Sequence, residues 1–126
     1  MAHPNEAIAR KFFAAADAGD FDTIMGIWSD DIVFHMPGNN VMSGTFKGKA
    51  EAGAMFARGG HIKLRRELHD SMATDTHAVN LTRVSGDRDG KTYSWNGVAV
   101  MEIRDGKVVE QWLIADDQAA VDALFA

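Results

Sequence analysis

The sequence predicts an α+β domain built on a mostly antiparallel sheet, and three observations carry that prediction. Helical apolar spacing is confined to the first sixty or so residues and to the last few. Between His61 and Ala115 the polarity alternates with a period of two. The alternating segments are joined by turn residues rather than by helices, so strand–helix–strand repeats are excluded. The 126 residues make one domain, residues 1–126, long enough for a core of its own. No internal repeat, linker or low-complexity tract interrupts it.

The elements follow in order. Asn5 can cap a first helix whose positive first turn suits Glu6, with a stripe of Ile8, Phe12, Ala15 and Ala16 and Phe13 beside it. Ala18-Gly19 stops it, because glycine takes the left-handed cap. Asp20 caps a short second helix carrying Ile24, Met25, Ile27 and Trp28. Ile32 to Met36 is a strand ended by Pro37-Gly38, and Met42 to Phe46 a short extended piece. A third helix covers Lys49 to Ala57 and closes at Gly59-Gly60. His61 to Met72 alternates Ile62, Leu64 and Leu68 with Lys63, Arg65, Glu67 and His69. Ala78 to Ser85 is a further strand, and Gly86 to Gly90 a turn. Asp116 or Asp117 can cap a last helix striped by Ala120, Val121, Leu124 and Phe125.

The hairpin from Lys91 to Asp117 organises the rest. Asp105-Gly106 favours a two-residue type I′ turn, since both residues tolerate positive φ. Counted outward from Arg104 opposite Lys107, Met101 falls opposite Glu110, Ala99 opposite Trp112, Gly97 opposite Ile114 and Trp95 opposite Asp116. One face then holds Trp95, Ala99, Met101, Glu110, Trp112 and Asp116; the other holds Val98, Val100, Val109 and Leu113. Both are partly apolar, so one meets helices around a core or pocket and the other meets a second chain. A bulge would shift the register by one and exchange the faces.

Composition narrows the function. The content is 46% apolar and 25% charged, that of an ordinary globular protein. A net charge of −5 argues against a general nucleic-acid binder. There are no cysteines, which excludes disulfides, thiolate chemistry and zinc–sulfur sites. The start lacks the apolar run of a signal peptide and no segment reaches transmembrane length, so no membrane partner and a cytoplasmic location are expected. His61, His69 and His77 lack metal-ligand spacing, and Gly44 to Lys49 falls one residue short of a phosphate loop. No metal or organic cofactor is therefore expected. Lys63-Leu64-Arg65-Arg66 reads as a solvated strand face.

Several pieces in sequence resemble the nuclear transport factor two-like superfamily, and within it the SnoaL-like group. They are Phe12-Phe13 with Ala18-Gly19-Asp20, Phe34 to Gly38, Ser43 to Gly48, and Asp105 to Trp112. The resemblance covers nearly the whole chain. It implies a cone-shaped barrel: a curved, mostly antiparallel sheet wrapped on the N-terminal helices around an apolar internal pocket, usually dimerising through the outer sheet face. It does not imply one function, because unrelated activities share this fold. Ketosteroid isomerase, a member, uses an Asp base with an oxyanion hole of a Tyr and a protonated Asp. Those positions match Met36, Phe12 and Ala99, all apolar, so that chemistry is not implied. The strand-borne Arg-x-Asp motif of the epoxide hydrolases has no match between Tyr93 and Val100. The SnoaL-like cyclases are similar in a Glu-x-Trp-x-x-x-Asp ending, here Glu110, Trp112 and Asp116, and this resemblance makes Asp116 the candidate base.

Each candidate has a structural alternative. Asp116 in an apolar pocket would carry a raised pKa and act as a base; otherwise it caps the last helix. His35 could shuttle protons, yet it points outward if Met36 points inward. Glu110 is a second carboxylate or a hydrogen-bond partner of an aromatic residue. Phe12, Trp28, Met36, Trp95, Ala99 and Trp112 read as pocket wall and core. Two function classes result. One is a cofactor-independent enzyme of cyclase, isomerase or dehydratase type, using Asp116 and His35 on a small apolar substrate. The other is a non-catalytic small-ligand binder or dimeric accessory protein. A homodimer is expected in both, and whether Asp116 or His35 reaches the pocket discriminates between them.

Overall fold

The computed structural model describes residues 3–126. Helix α1 runs Pro4–Ala18 and starts two residues before the expected cap: His3 Nδ1 accepts from the Asn5 N–H at 3.0 Å, and Pro4 needs no such partner. Asn5 is buried instead, its amide donating to Thr74 O at 2.9 Å. Gly19, at φ 69°, ends the helix in the left-handed conformation. Asp20 caps α2, Phe21–Ile27, through the Thr23 N–H at 3.1 Å.

Trp28 does not belong to α2. It opens β1, Trp28–Met36, whose register shifts before Val33. The indole N–H of Trp28 donates to Gln111 Oε1 at 3.1 Å inside the core, and its ring packs on Phe34 and Phe56 with centroids 5.8 Å apart in each case. A partner 83 residues away outweighs the local helical spacing. After β2, Gly44–Lys47, and α3, Gly48–Arg58, four strands follow: β3 Leu64–Ala73, β4 His77–Arg88, β5 Lys91–Arg104 and β6 Lys107–Ala115. Helix α4, Gln118–Leu124, closes the described chain, capped by Asp117 rather than Asp116.

The six strands form one curved sheet in the order β2-β1-β6-β5-β4-β3. The β1–β6 pair is parallel and every other pair antiparallel. The sheet stays open, with β2 and β3 at its edges, and the helices cover its concave face. The turn expected over Gly86 to Gly90 is tighter: β4 continues to Arg88, and Asp89 and Gly90 make a two-residue turn with φ of 53° and 78°. Gly86 lies within the strand, where a Cβ would meet Leu124 at 2.9 Å, so the glycine lets α4 close on the sheet.

The central hairpin turns at Asp105-Gly106, with φ of 53° and 76°, as the sequence predicts. Its register does not hold beyond the turn. Ile103 pairs with Val108, but Glu102 pairs with Glu110, so Val109 is bulged and the faces of β6 exchange from there on. Ala99 lies opposite Leu113, Val100 opposite Trp112 and Val98 opposite Ile114. Gln111, Leu113 and Ala115 turn inward; Glu110, Trp112 and Ile114 turn outward. Gln111 is 0% exposed and Ile114 51%. The reason is electrostatic. Unbulged, the Glu110 carboxylate would lie on the inner face beside fully buried Met101, where an unpaired charge is costly. The bulge puts a neutral amide there and gives it the Trp28 N–H.

Candidate functional site

A cavity of about 500 Å³ lies between the concave face of the sheet and the helices. Phe12 and Phe13 of α1, Met36 of β1, Trp95 and Ala99 of β5 and Leu113 of β6 form much of its wall. Exposed Ala18, Gly19 and Gly60 also border it and mark its mouth, between the α1–α2 junction and the segment after α3.

Phe12, Met36, Trp95 and Ala99 therefore line the cavity, while the other candidates lie elsewhere. Trp28 sits in the aromatic core beneath it. Asp116 is exposed beyond the end of β6, and its carboxylate accepts from the Asn96 backbone N–H at 2.8 Å and the Asn96 amide at 2.9 Å. These bonds hold its pKa below the ordinary carboxylate value, the backbone bond first. The expected raised pKa is thus reversed, because the exchanged face removes Asp116 from apolar surroundings. Leu113 leaves the outer face for the cavity wall, and Val98, Val100, Trp112 and Ile114 share the opposite parity, Val98 and Ile114 also bordering the cavity.

Glu110, Trp112 and His35 meet on the outer face. His35 and Trp112 are register partners in the parallel pair, and their rings stack with centroids 5.3 Å apart. His35 Nε2 lies 2.6 Å from Glu110 Oε2, and Nδ1 lies 3.2 Å from Thr45 Oγ1. The side chains of His35 and Glu110 are about one-third exposed. This cluster is separated from the cavity by the thickness of the sheet.

The cavity also has polar groups outside the candidate set. Asn80 is buried and bonded at both ends of its amide, accepting from Ser71 Oγ at 2.6 Å and donating to Ala9 O at 2.8 Å. Thr82 donates to Gly97 O at 3.2 Å. Arg66 and Asp17 stand at the mouth, 3.9 Å apart. Burial pushes the Arg66 guanidinium below its usual pKa, with Asp17 opposing that shift. The signal for Arg66 was its parity: it shares a face with Ile62, Leu64 and Leu68, not with Lys63 and Arg65. Among the described residues Asp17 is the one carboxylate bordering the cavity, and no histidine borders it. Nor does any group of three His, Asp or Glu side chains among them stand where it could hold a metal ion.

The model of the SnoaL-like domain matches residues 9–111. The chain belongs to the SnoaL-like family. Among solved structures it is similar to a protein of unknown function with a cystatin-like fold from Xanthomonas campestris, at 33% identity and a TM-score of 0.86, over 95% of this chain and 96% of that one. It is also similar to Bal32a from a soil-derived mobile gene cassette, at 24% identity and a TM-score of 0.89, covering 98% and 97%. TerC, co-crystallised with polyporic acid, shares the fold at 19% identity and a TM-score of 0.85, covering 98% and 100%. No curated protein matches the chain. Among the described residues no helix is long and apolar enough to cross a membrane.

Proposed function

We propose that this SnoaL-like chain is a small-molecule pocket protein, binding one mainly apolar ligand in the cavity and working as a homodimer through the outer sheet face. The observation that carries the reading is the cavity: about 500 Å³, within the range of small-molecule sites, with a wall dominated by Phe12, Phe13, Met36, Trp95 and Leu113. That TerC, of the same fold, was crystallised with polyporic acid supports a small organic guest. The dimer rests on half-exposed Val98, Val100 and Trp112 and exposed Ile114, which adjoin one another on an uncovered face. With no cysteines and dispersed histidines, the reading calls for no metal or organic cofactor.

Of the two classes that the sequence leaves open, the geometry favours the binder, since Asp116 and His35 lie outside the cavity. The cofactor-free enzyme reading keeps one specific observation, Asp17 beside Arg66 at the mouth, where it could accept a proton from a bound substrate. Titration with the neutral fluorophore N-phenyl-1-naphthylamine tests the primary reading. The wild type should bind it saturably. Ala99→Phe, which fills the cavity from the floor, should weaken binding at least about tenfold while the protein stays folded by circular dichroism. Equal binding by both proteins would refute the cavity as the site.

A further inference from the structure

We propose that the cavity selects ligands that pair an apolar body with one anionic oxygen head, such as a carboxylate or an enolate, and that Arg66 holds that head. This rests on the cavity being the ligand site. Arg66 is the middle of a run in β3 whose inward positions are otherwise Leu64 and Leu68. Across the sheet it pairs with Val84, and Val84 pairs with Trp95, so the guanidinium and the indole stand on one inward row two strands apart. Two strand spacings are about 10 Å, and a long arginine side chain covers much of that.

The guanidinium is under-used by the protein. It carries five N–H donors, yet only Nη1 is engaged, with Ala16 O at 3.4 Å and Asp17 Oδ1 at 3.9 Å, both long. Nε and Nη2 have no acceptor among the described residues. The Arg66 side chain is 24% exposed against 48% for Asp17, so the cation lies deeper than its counter-ion. Burial depresses the arginine pKa, as expected of a cation short of partners.

The same wall offers a second donor. Trp95 Nε1 has no acceptor among the described residues, and it lies 3.8 Å from where a side chain at Gly97 would begin. A Cβ at Gly97 would meet Thr82 Oγ1 at 2.7 Å, so the glycine keeps this stretch of wall open. Arginine and indole donate only. A guest that presents oxygen acceptors matches this wall, and a carboxylate matches the guanidinium fork in two parallel hydrogen bonds.

The test compares 2-naphthoate with its neutral isostere 2-naphthamide by isothermal titration calorimetry, on the wild type, Arg66→Gln, Arg66→Lys and the outer-face control Arg65→Gln. The wild type should favour naphthoate by at least about tenfold, the scale of one charge-assisted hydrogen bond. That preference should vanish in Arg66→Gln, shrink in Arg66→Lys, which keeps the charge but loses the fork, and persist in Arg65→Gln. Equal wild-type affinity for the two probes, or a preference that survives Arg66→Gln, overturns the proposal while leaving the cavity as a ligand site. Failure of both probes to bind the wild type overturns the cavity reading and this proposal with it. The wild-type comparison stands even where a variant does not fold.

Discussion

The bulge at Val109 makes a prediction that depends on no ligand. It places Gln111 in the core, fully buried and accepting the Trp28 N–H, and turns Glu110 out to His35. Gln111→Glu therefore puts a carboxyl group where an ionised carboxylate has one donor and no counter-ion. Such a group protonates rather than stay charged. At pH 7 the cost is at most that of protonating a glutamate of unfolded pKa about 4.3, roughly 3.7 kcal/mol at 1.36 kcal/mol per unit. The folded pKa is raised, so the variant's stability is fully present below the unfolded pKa and is lost as pH rises through the folded one. The penalty should shrink to about 1 kcal/mol at pH 5. Glu110→Gln, on a group about one-third exposed, should cost no more than about 1 kcal/mol. Urea denaturation of both variants at pH 5 and pH 7 measures this. An unbulged hairpin gives the reverse: Gln111→Glu harmless at pH 7 and Glu110→Gln stabilising. That pair of results would refute the register.

Asp117→Ala should cost about 1 kcal/mol by removing the cap on the Ala120 N–H, whereas Asp117→Asn should cap nearly as well; chemical denaturation separates them. Val100→Glu, on the outer face, should shift the protein from dimer to monomer in light scattering at micromolar concentration, and a wild type that is already monomeric there would end the dimer proposal. Asp20, Asp87, Asp116 and Asp122 all have pKa values held below 3.8 by hydrogen bonds, Asp87 at about 2 beneath Arg65 and Thr92. Depressed carboxylates stabilise the fold above their unfolded pKa, and that contribution is lost as pH falls through the folded values. Stability should thus decline between about pH 4 and pH 2, and a flat profile in urea titrations over that window would contradict it.

The parts of this fold legible in the sequence are those decided within a few residues. Gly19 and Asp20 bound the first two helices by local backbone and capping preferences, and Asp105-Gly106 makes its turn because both residues accept positive φ. What was not legible depends on distant partners. Trp28 spaces like a helix residue, but its strand is fixed by Gln111 and Val108 far along the chain. The sequence leaves the bulge open as an alternative, because both faces of the hairpin are half apolar and either register buries a comparable apolar set. The carboxylates of Glu110 and Asp116 distinguish them, because the core rejects an unpaired charge. The site inherited that choice. Phe12, Met36, Trp95 and Ala99 reach the cavity on elements whose parity is unaffected, while Glu110, Trp112 and Asp116 lie beyond the bulge and face away. Arg66 was hidden inside a basic run, although its even position placed it with Leu64 and Leu68.

The chain carries three tryptophans, one for each environment: Trp28 in the core, Trp95 on the cavity wall and Trp112 on the outer face. Their indole N–H resonances, assigned with single Trp→Phe variants, report directly on where a ligand sits. During a 2-naphthoate titration followed by ¹H–¹⁵N NMR, the Trp95 signal should move saturably while the Trp112 signal stays in place. Movement of Trp112 with Trp95 unmoved would put the ligand on the outer face with His35 and Glu110, and would contradict the cavity as the functional site.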